Sequence, residues 1–135
     1  MGVDLIIERL ALEPGELILE VGFDSDCDEE FRSAITKRTG TKFIEGTATE
    51  VLDVVLLWWR DSDGDLVDDL MDALTYLSET GPIWLLTPKV GRSGHVQPSD
   101  IQEAAPIAGL SQTVSFAIGA DWTATKLVAR KTSRK

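Results

Sequence analysis

The run Val51-Leu52-Asp53-Val54-Val55-Leu56-Leu57-Trp58-Trp59 constrains the fold more than any other segment. It is β-branched, aromatic and almost free of alternation, so as a strand it must be covered on both faces, as in the interior of a sheet flanked by helices. Adjacent strand residues point to opposite faces, which puts Trp58 and Trp59 in two separate apolar layers. Trp84, in the apolar run Ile83–Thr87, is expected in the same core.

The surrounding segments supply the rest of such a sandwich. Val3–Leu10 has helical spacing and stops before Pro14-Gly15. Glu16–Phe23 reads as a strand. A helix follows, with Asp28, Glu29 and Glu30 in its first turn, Lys37 and Arg38 near its end, and Gly40 as its stop. Thr41–Glu45 reads as a short second strand closed by Gly46. Leu66–Ser78 carries Val67, Leu70, Met71, Leu74 and Leu77 on one helical stripe, ended by Thr80-Gly81-Pro82. After the strand Ile83–Thr87 and a polar loop from Pro88 to Pro98, Ser99 and Gln102 fit a capping box, with Pro106 and Gly109 limiting the helix. Thr113–Ile118 and Thr123–Ala129 form a hairpin across Gly119-Ala120-Asp121-Trp122. The expected architecture is a three-layer, Rossmann-like α/β sandwich, with a mostly parallel sheet and a C-terminal antiparallel hairpin. It forms one domain over residues 1–130, followed by a basic, frayed tail at 131–135.

A chain of 135 residues buries enough surface to need no disulfide or metal staple, and 43% hydrophobic with 27% charged residues suits a packed core rather than disorder. The net charge of −10 excludes a general nucleic-acid-binding role, which needs a basic face. Cys27 is the sole cysteine, so no internal disulfide can form. Met1–Leu12 mixes charge with apolar residues instead of giving a signal-peptide core, and no apolar run reaches the ~18 residues of a membrane span. A cytoplasmic protein without membrane contact is therefore expected.

Several segments together resemble a known family: VLDVVLLWWR at 51–60, IWLLTPK at 83–89 with Gly91-Arg92-Ser93-Gly94-His95, Ala108-Gly109-Leu110, and Asp121-Trp122-Thr123 with Lys126-Leu127-Val128. They are similar to the actinobacterial domain-of-unknown-function family 3052, from about Leu17 to Ala129. That resemblance implies a fold but no activity. The element order also resembles a shortened S-adenosylmethionine-dependent methyltransferase domain, with its reversed last strand. On that analogy Glu20 matches the acid ending the first strand, Gly22 the first glycine of the cofactor loop, and Glu45 the acid that holds the ribose hydroxyls. Asp24 and Asp26 stand where further glycines belong, and Trp58-Trp59-Arg60-Asp61 lacks the Asn-Pro-Pro-aromatic sequence of many amino-group methyltransferases. A glycine lets backbone N–H groups approach an anionic ligand, whereas an aspartate fills the space and repels the methionine carboxylate. At ~4 Å and an effective dielectric of ~20 that repulsion is about 4 kcal/mol.

The acidic residues gather in two clusters, Asp24/Asp26/Asp28/Glu29/Glu30 and Asp61/Asp63/Asp65/Asp68/Asp69/Asp72, both expected at the carboxyl edge of the sheet, where α/β proteins bind ligands. Asp61-Ser62-Asp63-Gly64-Asp65 opens like a calcium loop, but Leu66 and Asp72 occupy the positions that need glycine and glutamate. It reads better as a turn, with Asp65 capping a helix, and no metal is assigned. Cys27 reads as a packing residue rather than a redox thiol, because the acids around it oppose thiolate formation. Lys89, Arg92, Ser93 and His95 form a basic, glycine-containing loop suited to a phosphate or carboxylate. Ser93, His95 and Asp100 do not have the spacing of a hydrolytic triad. Trp122, at the hairpin beside Asp121, is expected in the core, the alternatives being an exposed anchor for a partner or a lid that folds back.

The sequence thus favours a non-catalytic regulatory or protein-interaction module without a cofactor. Its partner would be a protein whose basic surface meets the acidic clusters, or a small anionic ligand held at Lys89, Arg92, Ser93 and His95. The alternative is a small-molecule-binding enzyme, a divergent S-adenosylmethionine-dependent methyltransferase using Glu20, Gly22 and Glu45.

Overall fold

The computed structural model describes residues 3–44 and 51–129. The elements in chain order are α1 (Val3–Leu10), β1 (Ile18–Val21), α2 (Glu29–Thr39), β2 (Val54–Trp58), α3 (Leu66–Leu74), β3 (Ile83–Pro88), α4 (Pro98–Ile107), β4 (Leu110–Ile118) and β5 (Trp122–Ala129). The sheet has the order β1-β2-β3-β5-β4. β1, β2 and β3 pair in parallel, while β5 is antiparallel to both β3 and β4. The sheet is therefore mixed, with as many antiparallel pairings as parallel ones, and not mostly parallel. The hairpin causes the difference: inserting β5 between β3 and β4 makes both of its pairings antiparallel.

β2 is buried along its whole length, as an uninterrupted apolar run requires. Alternation assigns Val54, Leu56 and Trp58 to one core layer and Val55, Leu57 and Trp59 to the other. On the first side Ile6 and Leu10 of α1 and Phe31 and Ile35 of α2 pack with Trp58 and Trp84. On the second, Leu70 of α3 and Ile101 and Ala105 of α4 pack with Leu57, Trp59 and Leu85. The sandwich has three layers because both faces of the sheet carry apolar stripes that must be covered.

Several element boundaries shift for local reasons. The segment expected as a second strand at Thr41–Glu45 makes one parallel bridge, Ile44 to Leu19, and Glu45 and Gly46 lie outside the described residues. α3 stops at Leu74 rather than Ser78. The Leu52 N–H donates to the Tyr76 carbonyl and the Ser78 N–H to the Leu52 carbonyl, drawing this part of the stripe into a bridge beside β2. α4 begins at Pro98 with Gln97 as its cap, which makes no side-chain cap hydrogen bond, so the expected box at Ser99 is not used. A proline at the first helical position has its φ already set and no N–H to satisfy, and that outweighs a hydroxyl cap one residue later. β4 starts at Leu110, three residues before the expected strand, and absorbs an irregularity between Gln112 and Ser115.

Candidate functional site at the carboxyl edge of the sheet

β1 and β2 end side by side, and the loops that follow them carry the two acidic clusters. Gly22 is the first residue beyond β1. Its φ of +82° and the Trp58 carbonyl oxygen packed against its α-carbon exclude any Cβ. The turn that follows is closed by its own groups: the Asp24 N–H donates to Cys27 Sγ at 3.3 Å and the Cys27 N–H to the Asp24 carbonyl at 3.1 Å. Asp28 then caps α2, accepting from the Phe31 N–H.

Two arginines occupy this edge. Arg32, one turn into α2, donates from Nε and Nη2 to the two carboxylate oxygens of Glu20 at 2.5 and 2.7 Å, and also pairs with Glu29. The Glu20 side chain is 0% exposed and accepts a further hydrogen bond from Trp58 Nε1 at 2.9 Å. The forked geometry suits a buried carboxylate and raises the Arg32 pKa, chiefly through the hydrogen bonds it donates to Glu20. The guanidinium lies 3.9 Å from the centroid of the Phe23 ring.

Arg60 follows β2 and reaches back across the edge. Nη2 and Nε donate to the two Asp26 carboxylate oxygens at 2.5 and 3.1 Å, and Nη1 donates to the Gly22 carbonyl at 2.8 Å and to Asp63 at 3.3 Å. One guanidinium thus joins a carboxylate from each acidic cluster. Its hydrogen bonds hold the Asp26 carboxyl below the usual carboxylate range. Trp122, 3% exposed, closes the edge from β5. It donates Nε1–H to the Asp26 carbonyl at 3.0 Å and meets Trp58 edge-on at 4.8 Å. Cys27 is buried beneath this assembly, and burial pushes its thiol pKa up. What remains open is a cleft of about 320 Å³, lined by Val21, Phe23, Asp24, Trp59, Arg60 and Asp63 among others.

In the second cluster, Asp65 caps α3, accepting from the Val67 and Asp68 N–H groups. Asp69 accepts from Trp59 Nε1 at 2.9 Å. Burial raises its pKa, and Asp72, Asp63 and Asp68 add to that shift through charge repulsion. Among the described residues no group of three or more His, Cys, Asp or Glu side chains is placed to hold a metal ion.

The basic loop lies at the same edge, where its Gly94 carbonyl accepts from the Asp61 N–H. Lys89 donates Nζ–H to the Gly119 carbonyl at 2.9 Å, Arg92 pairs with Asp121 at 2.9 Å, and His95 Nδ1 lies 3.0 Å from the Pro88 carbonyl. Lys89 and His95 thereby fix the loop to the hairpin and to the end of β3, whereas Arg92 and Ser93 are exposed. Of the residues matched to a cofactor site, Glu20 and Gly22 are used internally, and Glu45 lies outside the described residues. Neither arginine is a candidate on sequence reasoning alone. Arg60 nevertheless has a visible signal, being the sole cation between Lys42 and Lys89 and directly preceding an acidic cluster.

A family model described as "Protein of unknown function (DUF3052)" matches residues 7–131. Uncharacterized proteins of Mycobacterium tuberculosis (Rv2239c, strain H37Rv) and Mycobacterium bovis (Mb2263c) are each 50% identical to this chain over 123 residues, covering 91% of it and 77% of their own length. Among solved structures, a SAM dependent methyltransferase from Aquifex aeolicus superposes with a TM-score of 0.61 at 10% identity, covering 93% of this chain and 88% of that one. A ribosomal protein L11 methylase from Lactobacillus delbrueckii subsp. bulgaricus gives 0.57 at 14% identity, covering 96% and 77%. These likenesses establish a methyltransferase-like fold. Among the described residues no helix is long and apolar enough to cross a membrane.

Proposed function

The chain belongs to the DUF3052 family of proteins of unknown function, and we propose that it is a non-catalytic regulatory or interaction module in which the cofactor region of a methyltransferase-like scaffold is filled by the protein's own side chains. The observation that carries this reading is Arg60. Its guanidinium spans the Gly22 carbonyl, Asp26 and Asp63, where a cofactor-binding loop would need open backbone N–H groups and room for the ligand. Glu20 supports the same reading. Its carboxylate accepts three hydrogen bonds from Arg32 and Trp58 and has no exposed surface with which to meet a ligand.

Such a module presents the rim of the edge: the exposed carboxylates of Asp24 and Asp61 to a basic protein surface, and Arg92 with Ser93 to an anionic group. Calorimetric titration with S-adenosylmethionine and S-adenosylhomocysteine tests the reading. No saturable heat is expected in the micromolar range. Saturable micromolar binding would replace the module with the divergent methyltransferase, for which Glu20 and Gly22 hold the matching positions.

A further inference from the structure

α3 and α4 lie side by side on the face of the sheet away from α1 and α2, and the groove between them has a chemistry unlike the arginine-laced edge. Its volume is about 420 Å³. Its apolar lining comes from Leu66 and Val67 of α3 and from Ala104 and Ile107 of α4, and Ile107 is left 70% exposed. Asp65, Asp100 and Glu103 line it as well. Neither helix contains a lysine or arginine, and among the described residues none of these three carboxylates is in an ion pair. Asp65 uses one carboxylate oxygen to cap α3, and Asp100 sits in the first turn of α4, where the helix dipole favours an acid, whereas Glu103 has no side-chain hydrogen bond among the described residues.

We infer that this groove docks a cationic amphipathic helix of a partner protein. An apolar patch beside carboxylates that have no ion-pair partner among the described residues complements a helix with one leucine-like face bordered by lysine or arginine. A second copy of this chain is a poor occupant, because its net charge of −10 and its basic-free α3 and α4 bring acid against acid. Asp100, Glu103 and Ile107 fall on one flank of α4 at helical spacing, so two charged contacts and one apolar anchor lie along a single line. The inference deepens the interaction-module reading and rests on it.

The test uses the full chain and a fluorescently labelled peptide of leucine and lysine at amphipathic helical spacing, with binding read by anisotropy. Saturable binding is expected, weakened about tenfold by Glu103→Lys and likewise by Ile107→Asp. Glu8→Lys, an equal charge change on α1 at the opposite face, should leave the affinity unchanged. All three positions are exposed, and thermal denaturation checks that each variant remains folded. The inference is overturned if the peptide does not saturate, if a scrambled peptide of the same composition binds equally well, or if Glu8→Lys weakens binding as much as Glu103→Lys. A gain in affinity on deleting residues 131–135, which include Lys131, Arg134 and Lys135, would make the chain's own tail the occupant and also overturn it. Loss of peptide binding leaves the cofactor titration unaffected, so the two readings fail separately.

Discussion

Two acidic regions of one small protein treat their carboxylates in opposite ways. Around the end of β1, Glu20 and Asp26 each receive a forked arginine, from Arg32 and Arg60, and the Asp26 pKa falls. Along α3 and α4 there is no arginine or lysine, and the pKa of Asp69 rises. In the first region these two carboxylates are neutralised internally and hold two loops together. The second retains its charge and faces solvent. Local density of acids in a sequence therefore says little about available charge, because availability depends on which cations the fold brings across from other elements.

The contrast breaks most visibly at its buried end. Arg32→Ala leaves the fully buried Glu20 carboxylate without its partner, a change that costs about 3–5 kcal/mol when a buried pair is broken from one side. Urea denaturation should show the midpoint falling without a change in slope. Glu20→Gln combined with Arg32→Met should lose less than the sum of the single changes, since the two groups form one network. A loss below about 1 kcal/mol for Arg32→Ala would make this an ordinary surface pair and erase the contrast. Gly22→Ala comes next. A Cβ there meets the Trp58 carbonyl oxygen at a φ of +82°, and strain of this kind costs about 1–3 kcal/mol.

Such effects show where sequence reasoning succeeds. The β2 run, the apolar layers split by Trp58 and Trp59, the Asp65 cap and the C-terminal hairpin are local patterns, and each is legible because neighbours in sequence determine it. The two arginine forks are not local. Glu20 and Arg32 are twelve residues apart, and Asp26 and Arg60 thirty-four, so their meeting depends on α2 returning over β1 and on β2 lying beside it. The same holds for the stripe at Leu77, where bridging to Leu52 competes with continuation of the helix. The likeness of Glu20 and Gly22 to a cofactor motif is visible in the sequence, while their use by Arg32, Trp58 and Arg60 requires the third dimension.

Arg60→Ala sharpens the comparison at intermediate size. Asp26 is about half exposed, so solvent screens the pair and its removal costs roughly 1 kcal/mol rather than the buried-pair figure. The pH dependence has a definite sign. With the Asp26 pKa depressed in the folded state, its contribution is present at neutral pH and above its unfolded value near ~4, and is lost as pH falls through the lower folded value. Wild type and Arg60→Ala should therefore differ in stability at pH 7 and converge in strong acid, as read by thermal denaturation across pH.

The smallest expected effect has the opposite sign. Asp69 has a raised pKa because burial and then the neighbouring Asp72, Asp63 and Asp68 disfavour its charge, offset in part by the Trp59 hydrogen bond. A group whose folded pKa lies above its unfolded value is held best in its protonated form, so ionised Asp69 detracts from stability at neutral pH. That penalty fades as pH falls through the folded value. Asp69→Asn keeps an oxygen to accept from Trp59 Nε1 and removes the charge. It should stabilise the protein at pH 7 by a few tenths of a kcal/mol after screening, with the gain shrinking toward pH ~4 and in added salt. Losing stability at pH 7 on this substitution would mean that the charge-assisted hydrogen bond from Trp59 Nε1 outweighs the burial and repulsion that act on the Asp69 carboxylate.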